Sequence, residues 1–103
     1  MRKGTYITDI THFLDETGNI PVSLPKPASQ LASFFAIIID ETTRTASEVF
    51  NDIELTCAAE DCTGSILSRF ESETDDIIWN CPDCGSKGVI RNWQNTKWNH
   101  LKS

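Results

Sequence analysis

The sequence predicts a single α+β domain, in which an N-terminal helical part packs on a C-terminal, four-stranded antiparallel sheet. Apolar residues recur at helical spacing in residues 1–48, whereas short apolar strings separated by turn residues follow in residues 49–98. All four cysteines lie in this second part, between the predicted strands. A chain of 103 residues has room for one small domain. Residues 99–103 are expected to form a tail.

The first predicted element is a short helix within residues 4–18. Ile10, Phe13 and Leu14 recur at helical spacing, and a glycine stands where such a helix would end. A strand is the alternative for the start of this segment, because the side chains of residues 6–10 also alternate.

The second predicted element is a longer amphipathic helix from Pro27 to about Thr43. Proline is well suited to the first turn of a helix. The apolar residues behind it follow the i, i+3, i+4 spacing of one helix face, and they are Ala28, Leu31, Ala32, Phe34, Phe35, Ile37, Ile38 and Ile39. Because this face is wider than one sheet face can cover, we expect a homodimer or another protein partner on it. The alternative is that residues 4–18 fold back over the remainder.

Four strands are expected in residues 49–98. The first runs through Ile53 and Leu55, and the others lie at 65–70, 76–80 and 89–93. A strand leads into each pair of cysteines and another leads away from it. This order predicts two antiparallel hairpins whose turns carry the cysteines.

The cysteines form two closely spaced pairs, Cys57 with Cys62 and Cys81 with Cys84. Four residues separate the first pair, two separate the second, and eighteen lie between the pairs. Zinc sites favour such spacing because a tight turn must present two thiolates to one ion. The pattern predicts one structural Zn²⁺ held by all four thiolates. Two disulfides and a redox-active pair are the alternatives; a reducing compartment disfavours the first, and the turn residues after Cys84 disfavour the second.

Two resemblances follow from these residues. The stretch from Cys57 to Trp93 resembles the zinc ribbons, a superfamily spread through transcription, translation and many small bacterial proteins. Residues 4–15, 78–85 and 88–99 are also similar to a family of short, uncharacterised bacterial proteins, to which no activity is attached. The resemblance implies zinc on the four cysteines, a scaffolding or binding role and no catalysis.

The distribution of charge separates two interpretations of the binding role. The formal net charge of −6 disfavours binding to phosphate backbones. Segment 87–102 is the exception, because it carries basic residues and two tryptophans and no acid. We therefore identify Arg91, Trp93, Lys97 and Trp98 as a candidate partner surface. Nucleic-acid binding through this segment is the alternative to protein interaction, and packing of the tryptophans within the domain is a third possibility.

No motif in the sequence predicts an enzyme. Four thiolates complete a tetrahedral zinc shell, so no coordination position is left for a reacting water, and His12 and His100 are expected outside the site. The longest apolar run, residues 34–39, is far too short for a membrane span. The first residues also lack the apolar core of a secretory signal. We expect a soluble, cytoplasmic, non-catalytic zinc-binding protein that acts as a small protein-interaction module.

Overall fold

A computed structural model describes residues 1–101, which contain one α-helix and five β-strands. The elements are β1 (Thr5–Asp9), α1 (Lys26–Thr45), β2 (Asn51–Thr56), β3 (Ser65–Glu71), β4 (Asp76–Asn80) and β5 (Lys87–Arg91). A short 3-10 helix, Ile10–Phe13, follows β1 directly. The end of the predicted tail, residues 102–103, lies outside the described residues.

The five strands form one mixed sheet in the order β1-β5-β4-β3-β2. The strands β2 to β5 pair antiparallel with their neighbours. β1 instead pairs in parallel with β5, with Ile7 opposite Val89. The predicted fold, a four-stranded antiparallel ribbon beneath two N-terminal helices, is therefore wrong. The described chain has a single α-helix and a fifth strand, β1, which forms one edge of the sheet and runs parallel to its neighbour β5.

The predicted short helix in residues 4–18 is replaced by β1 and one 3-10 turn. The β-branched residues of β1 favour an extended backbone. Asp9 ends the strand, because its carboxylate accepts a hydrogen bond from the Thr11 N–H at 2.9 Å. Ile10 and Phe13 then share the helix-facing side of a single turn. The helical spacing of these two residues corresponds to this single 3-10 turn and does not continue into a longer helix.

Helix α1 lies across one face of the sheet. Its buried Phe34 and Phe35 pack on Trp79 of β4, with ring centroids 5.5 and 6.2 Å apart. Phe13 covers Phe35 at a ring distance of 6.0 Å, so the N-terminal segment folds back over the helix as the alternative interpretation expected. Of the wide apolar face, Ile37 remains exposed, at 44%. Residues of the same chain therefore cover much of this apolar face, and Ile37 is left for contact with a partner.

Two threonines near the end of α1 fix it to its surroundings. The Thr42 hydroxyl lies 2.6 Å from the Ser68 hydroxyl of β3, inside the core. The Thr43 hydroxyl donates to the Ile39 carbonyl at 2.7 Å and accepts from the His100 N–H at 3.0 Å. These bonds hold the sheet and the C-terminal segment against the same turn of the helix.

Neither α1 nor any other helix in residues 1–101 has both the length and the apolar composition needed to cross a bilayer.

Candidate metal centre

The four cysteines meet at one end of the sheet, in two short connections that we call the knuckles. The first knuckle, residues 57–64, joins β2 to β3, and the second, residues 81–86, joins β4 to β5. β2 and β4 run in the same direction, because each pairs antiparallel with β3. Each knuckle follows the end of one of these two strands, so both knuckles lie at the same end of the sheet. The antiparallel order thus brings together two cysteine pairs that are distant in sequence.

The distances between the sulfur atoms fit a single metal ion. All four Sγ atoms lie within 4.8 Å of one another. Cys57 and Cys84 are 3.8 Å apart, and Cys62 and Cys81 are 3.6 Å apart. Sulfurs about 2.3 Å from a tetrahedral Zn²⁺ are separated by about 3.8 Å, whereas a disulfide requires about 2.05 Å. The four cysteines are free thiols in an arrangement that can hold a metal ion.

The two knuckles are built alike. In the first, the Cys57 N–H donates to the Gly64 carbonyl at 2.8 Å, and in the second, the Cys81 N–H donates to the Ser86 carbonyl at 2.7 Å. Each bond joins the first residue of a knuckle, a cysteine, to the last residue of that knuckle and so closes the turn. In the second knuckle, Gly85 has a φ of 78°, the left-handed conformation that glycine adopts without strain. This backbone frame directs the two thiols of each knuckle toward one point.

Backbone N–H groups point at the sulfur atoms of the first knuckle. The Ala59 N–H donates to the Cys57 Sγ and the Gly64 N–H donates to the Cys62 Sγ, each at 3.4 Å. Such bonds stabilise a thiolate, the form that binds metal. Burial nevertheless raises the pKa of the Cys57 thiol to about 12. A metal ion that binds at neutral pH must therefore displace the Cys57 proton.

Ser86 connects the metal centre to the start of β1. Its buried hydroxyl lies 3.2 Å from the Cys84 Sγ and accepts a hydrogen bond from the Gly4 N–H at 3.3 Å. A hydroxyl can accept one bond while it donates to a thiolate. Hydrogen bonding from Ser86 lowers the pKa of Cys84 to about 6. Sequence reasoning missed Ser86: it stands only two residues after Cys84, but its contact with Gly4 arises because β1 lies beside β5.

We expect Ser86→Ala to weaken metal binding by about 10-fold, within the 10- to 100-fold range typical of residues that support metal ligands. The substitution removes the hydroxyl that stabilises the Cys84 thiolate and anchors Gly4. Competition with a chromophoric chelator measures the affinity. Ser65→Ala is the control, since the Ser65 hydroxyl bonds to Asp52 rather than to a cysteine sulfur. Equal affinities of the two variants would contradict a role for Ser86 at the centre.

The residues of the candidate partner surface have unlike environments. Trp93 is 2% exposed, and its Nε1 donates to the Asp75 carbonyl at 2.9 Å, so its ring belongs to the core. Arg91 has a half-exposed side chain at the end of β5, where its Nε lies 3.5 Å from an Asp76 carboxylate oxygen. The Lys97 ammonium lies 5.6 Å from the ring centre of the half-buried Trp98. Arg91, Lys97 and Trp98 are thus the members that a partner can reach.

The two histidines lie outside the cysteine cluster. His12 Nε2 is 3.6 Å from an Asp9 carboxylate oxygen, and His100 Nε2 is 2.6 Å from one of Asp40. The grouping of possible metal ligands within residues 1–101 consists of the four cysteines alone.

Fold and site together define a small domain of one helix and a mixed sheet, with a four-cysteine candidate metal centre at one end. No family model, curated protein or solved structure matches this chain.

Proposed function

We propose that the protein is a non-catalytic, zinc-binding protein of the zinc-ribbon kind that acts as a small protein-interaction module. The convergence of four free thiols within 4.8 Å is the observation that carries this proposal. Soft thiolate ligands in a tetrahedral set favour zinc over magnesium or calcium, which prefer oxygen. One structural Zn²⁺ per chain satisfies all four cysteines.

The composition of the site supports a structural ion. Four thiolates fill a tetrahedral shell and leave no position for water or substrate, unlike catalytic zinc sites with three protein ligands. Cys57 and Cys81 are also buried in the hydrophobic core. Free cysteines suit a reducing compartment, which agrees with a cytoplasmic location.

Charge and burial favour a protein partner over nucleic acid. The chain carries nine basic and fifteen acidic residues, so a phosphate backbone would be repelled by most of its surface. The burial of Trp93 removes one of the two rings that base stacking would use. Large apolar side chains remain exposed for contact with a protein, and they are Ile7, Val22, Ile37, Val49 and Phe50.

Native mass spectrometry of the purified protein tests the metal assignment. We expect the mass of one zinc ion above the chain mass, lost on acidification, because protons compete for the thiolates. Cys81→Ser should lose most of this zinc, whereas Pro82→Ala, at an exposed position of the same knuckle, should keep it. Full zinc content in Cys81→Ser would rule out the four-thiolate site.

The nucleic-acid alternative is tested by titrating single-stranded DNA and RNA across a salt series. Binding that weakens steeply as salt rises would support it, since phosphate contacts release counterions. Our proposal expects no binding at low salt.

A further inference from the structure

One side of β1 is unpaired, because this strand forms an edge of the sheet. The Lys87 N–H donates to the Gly4 carbonyl at 3.0 Å, and alternate residues from Gly4 onward turn their backbone groups toward β5. The backbone groups of Thr5, Ile7 and Asp9 therefore point away from the sheet. Such an edge is a template for the addition of another strand.

The opposite edge of the sheet is protected against this kind of pairing. Between Asp52 and Thr56 the register of β2 against β3 shifts, and Glu54 within that shift has a left-handed φ of 58°. A bulge with acidic residues is a common way to block an edge. β1 has neither a register shift nor a proline or lysine between Thr5 and Asp9. The two edges differ, and β1 is the one left open.

The exposed side chain at the centre of β1 suits pairing with an identical strand. Ile7 is 72% exposed and lies on the sheet face that α1 does not cover, in one row with Val89 and Ile78. An antiparallel copy of β1 centred on this residue would place the two isoleucines directly opposite each other. Cross-strand pairs of β-branched residues stabilise a sheet, and the apolar row would continue from one copy into the other.

The charges around β1 also favour an antiparallel copy. Arg2 and Lys3 stand before the strand, and Asp9 ends it. Hydrogen bonding from the Thr11 hydroxyl lowers the pKa of Asp9, so its carboxylate is charged at neutral pH. Two antiparallel copies bring the basic start of each strand beside the acidic end of the other. A parallel copy would place like charges together.

We propose that β1 pairs with β1 of a second copy of the chain, so that two five-stranded sheets join across a two-fold axis. This deepens the proposed interaction role, on which it rests, by naming the partner. The H-bonded pairs are Thr5 with Asp9 and Ile7 with Ile7 of the second copy. A five-residue strand buries little surface, and two chains of charge −6 repel each other. The dimer is therefore weak and concentration-dependent.

Sedimentation equilibrium of the full, zinc-loaded chain from about 1 µM to about 1 mM tests this proposal. The average mass should rise from 11.5 kDa toward twice that value. Ile7→Lys should raise the dissociation constant about 10-fold or more, because like charges would stand directly opposite. Ile7→Glu should do the same, and an equimolar mixture of the two variants should restore association.

Two control variants separate this edge from other apolar positions. Val22→Lys changes a fully exposed residue outside the sheet and should leave the dimer intact. Ile37→Lys changes the exposed residue of α1 and should also leave it intact. Loss of association in Ile37→Lys but not in Ile7→Lys would overturn the proposal in favour of the helix face.

Hydrogen exchange on the wild-type chain gives a test that does not depend on any variant. Exchange of the Ile7 amide should slow as the protein concentration rises, since its N–H becomes bonded in the dimer. A zinc-loaded chain that stays monomeric with an unprotected Ile7 amide overturns the dimer. A chain that stays monomeric and instead binds a strand of a different protein at β1 also overturns the dimer. Zinc content measured on the same samples decides the metal assignment independently.

Discussion

Removal of the metal at neutral pH with a strong chelator should abolish cooperative thermal unfolding of residues 50–98. Structural zinc contributes about 10–16 kcal/mol in small zinc-binding domains, which is as large as the whole net stability of a typical domain, roughly 5–15 kcal/mol. Cys57 and Cys81 belong to the same core as Ile66 and Trp79. Loss of the ion would release both knuckles and leave buried thiols without a partner.

Circular dichroism melting curves before and after chelation measure this effect. We expect the helical signal of α1 to decrease as well, because its apolar face packs on the sheet. Addition of zinc to the chelated sample should restore the transition, which controls for damage by the chelator. An unchanged transition in the chelated protein would show that the hydrophobic core is sufficient by itself.

The ligand set of the candidate centre could be predicted because it depends on local spacing. Two thiolates separated by a short turn already face one point, and antiparallel strands bring the second pair to it. The long helix could also be predicted, since α1 at Lys26–Thr45 contains the predicted span from Pro27 to about Thr43. The helix and each cysteine pair depend on residues close in sequence, and consecutive antiparallel strands join the two pairs.

The parallel pairing of β1 with β5 could not be predicted on that basis, although the alternation in residues 6–10 allowed a strand there. Its partner β5 lies some eighty residues further along the chain, with Thr5 opposite Lys87, and nothing local specifies such a pairing. Gly88 shows the physical requirement: a Cβ there would lie 2.5 Å from the Tyr6 carbonyl oxygen and 2.8 Å from the Trp79 Nε1. In the sequence this glycine looks like an ordinary turn residue. Its function is to admit the neighbouring strand and the indole ring.

The tryptophans show a similar limit. Trp93 and Trp98 stand in the same basic segment, so composition alone does not distinguish their roles. Trp93 is buried because its ring packs edge-on against Phe70, at 5.8 Å, and its Nε1 reaches a loop carbonyl. Trp98 instead remains half-buried. The difference arises from tertiary contacts that only the folded sheet provides.

We expect Trp79→Ala to destabilise the protein by about 3–5 kcal/mol, the range for removal of a large buried aromatic side chain. Trp79 is 0% exposed and lies where three elements meet. Its ring contacts Phe34 and Phe35 of α1 and stacks near Tyr6 of β1, at a centroid distance of 6.3 Å. The substitution would leave a cavity that none of these elements can fill alone. Denaturant unfolding with zinc in excess measures the change in free energy.

Two further variants identify the cause of that loss. Trp98→Ala removes the same side chain from a half-buried position and should be much less destabilising. Trp79→Phe should be milder than Trp79→Ala, because the ring volume is largely kept. No hydrogen bond is lost either, since the Trp79 Nε1 has no partner among the described residues. If Trp79→Ala were no more destabilising than Trp98→Ala, the packing of α1 and β1 on β4 would not be what holds this domain together.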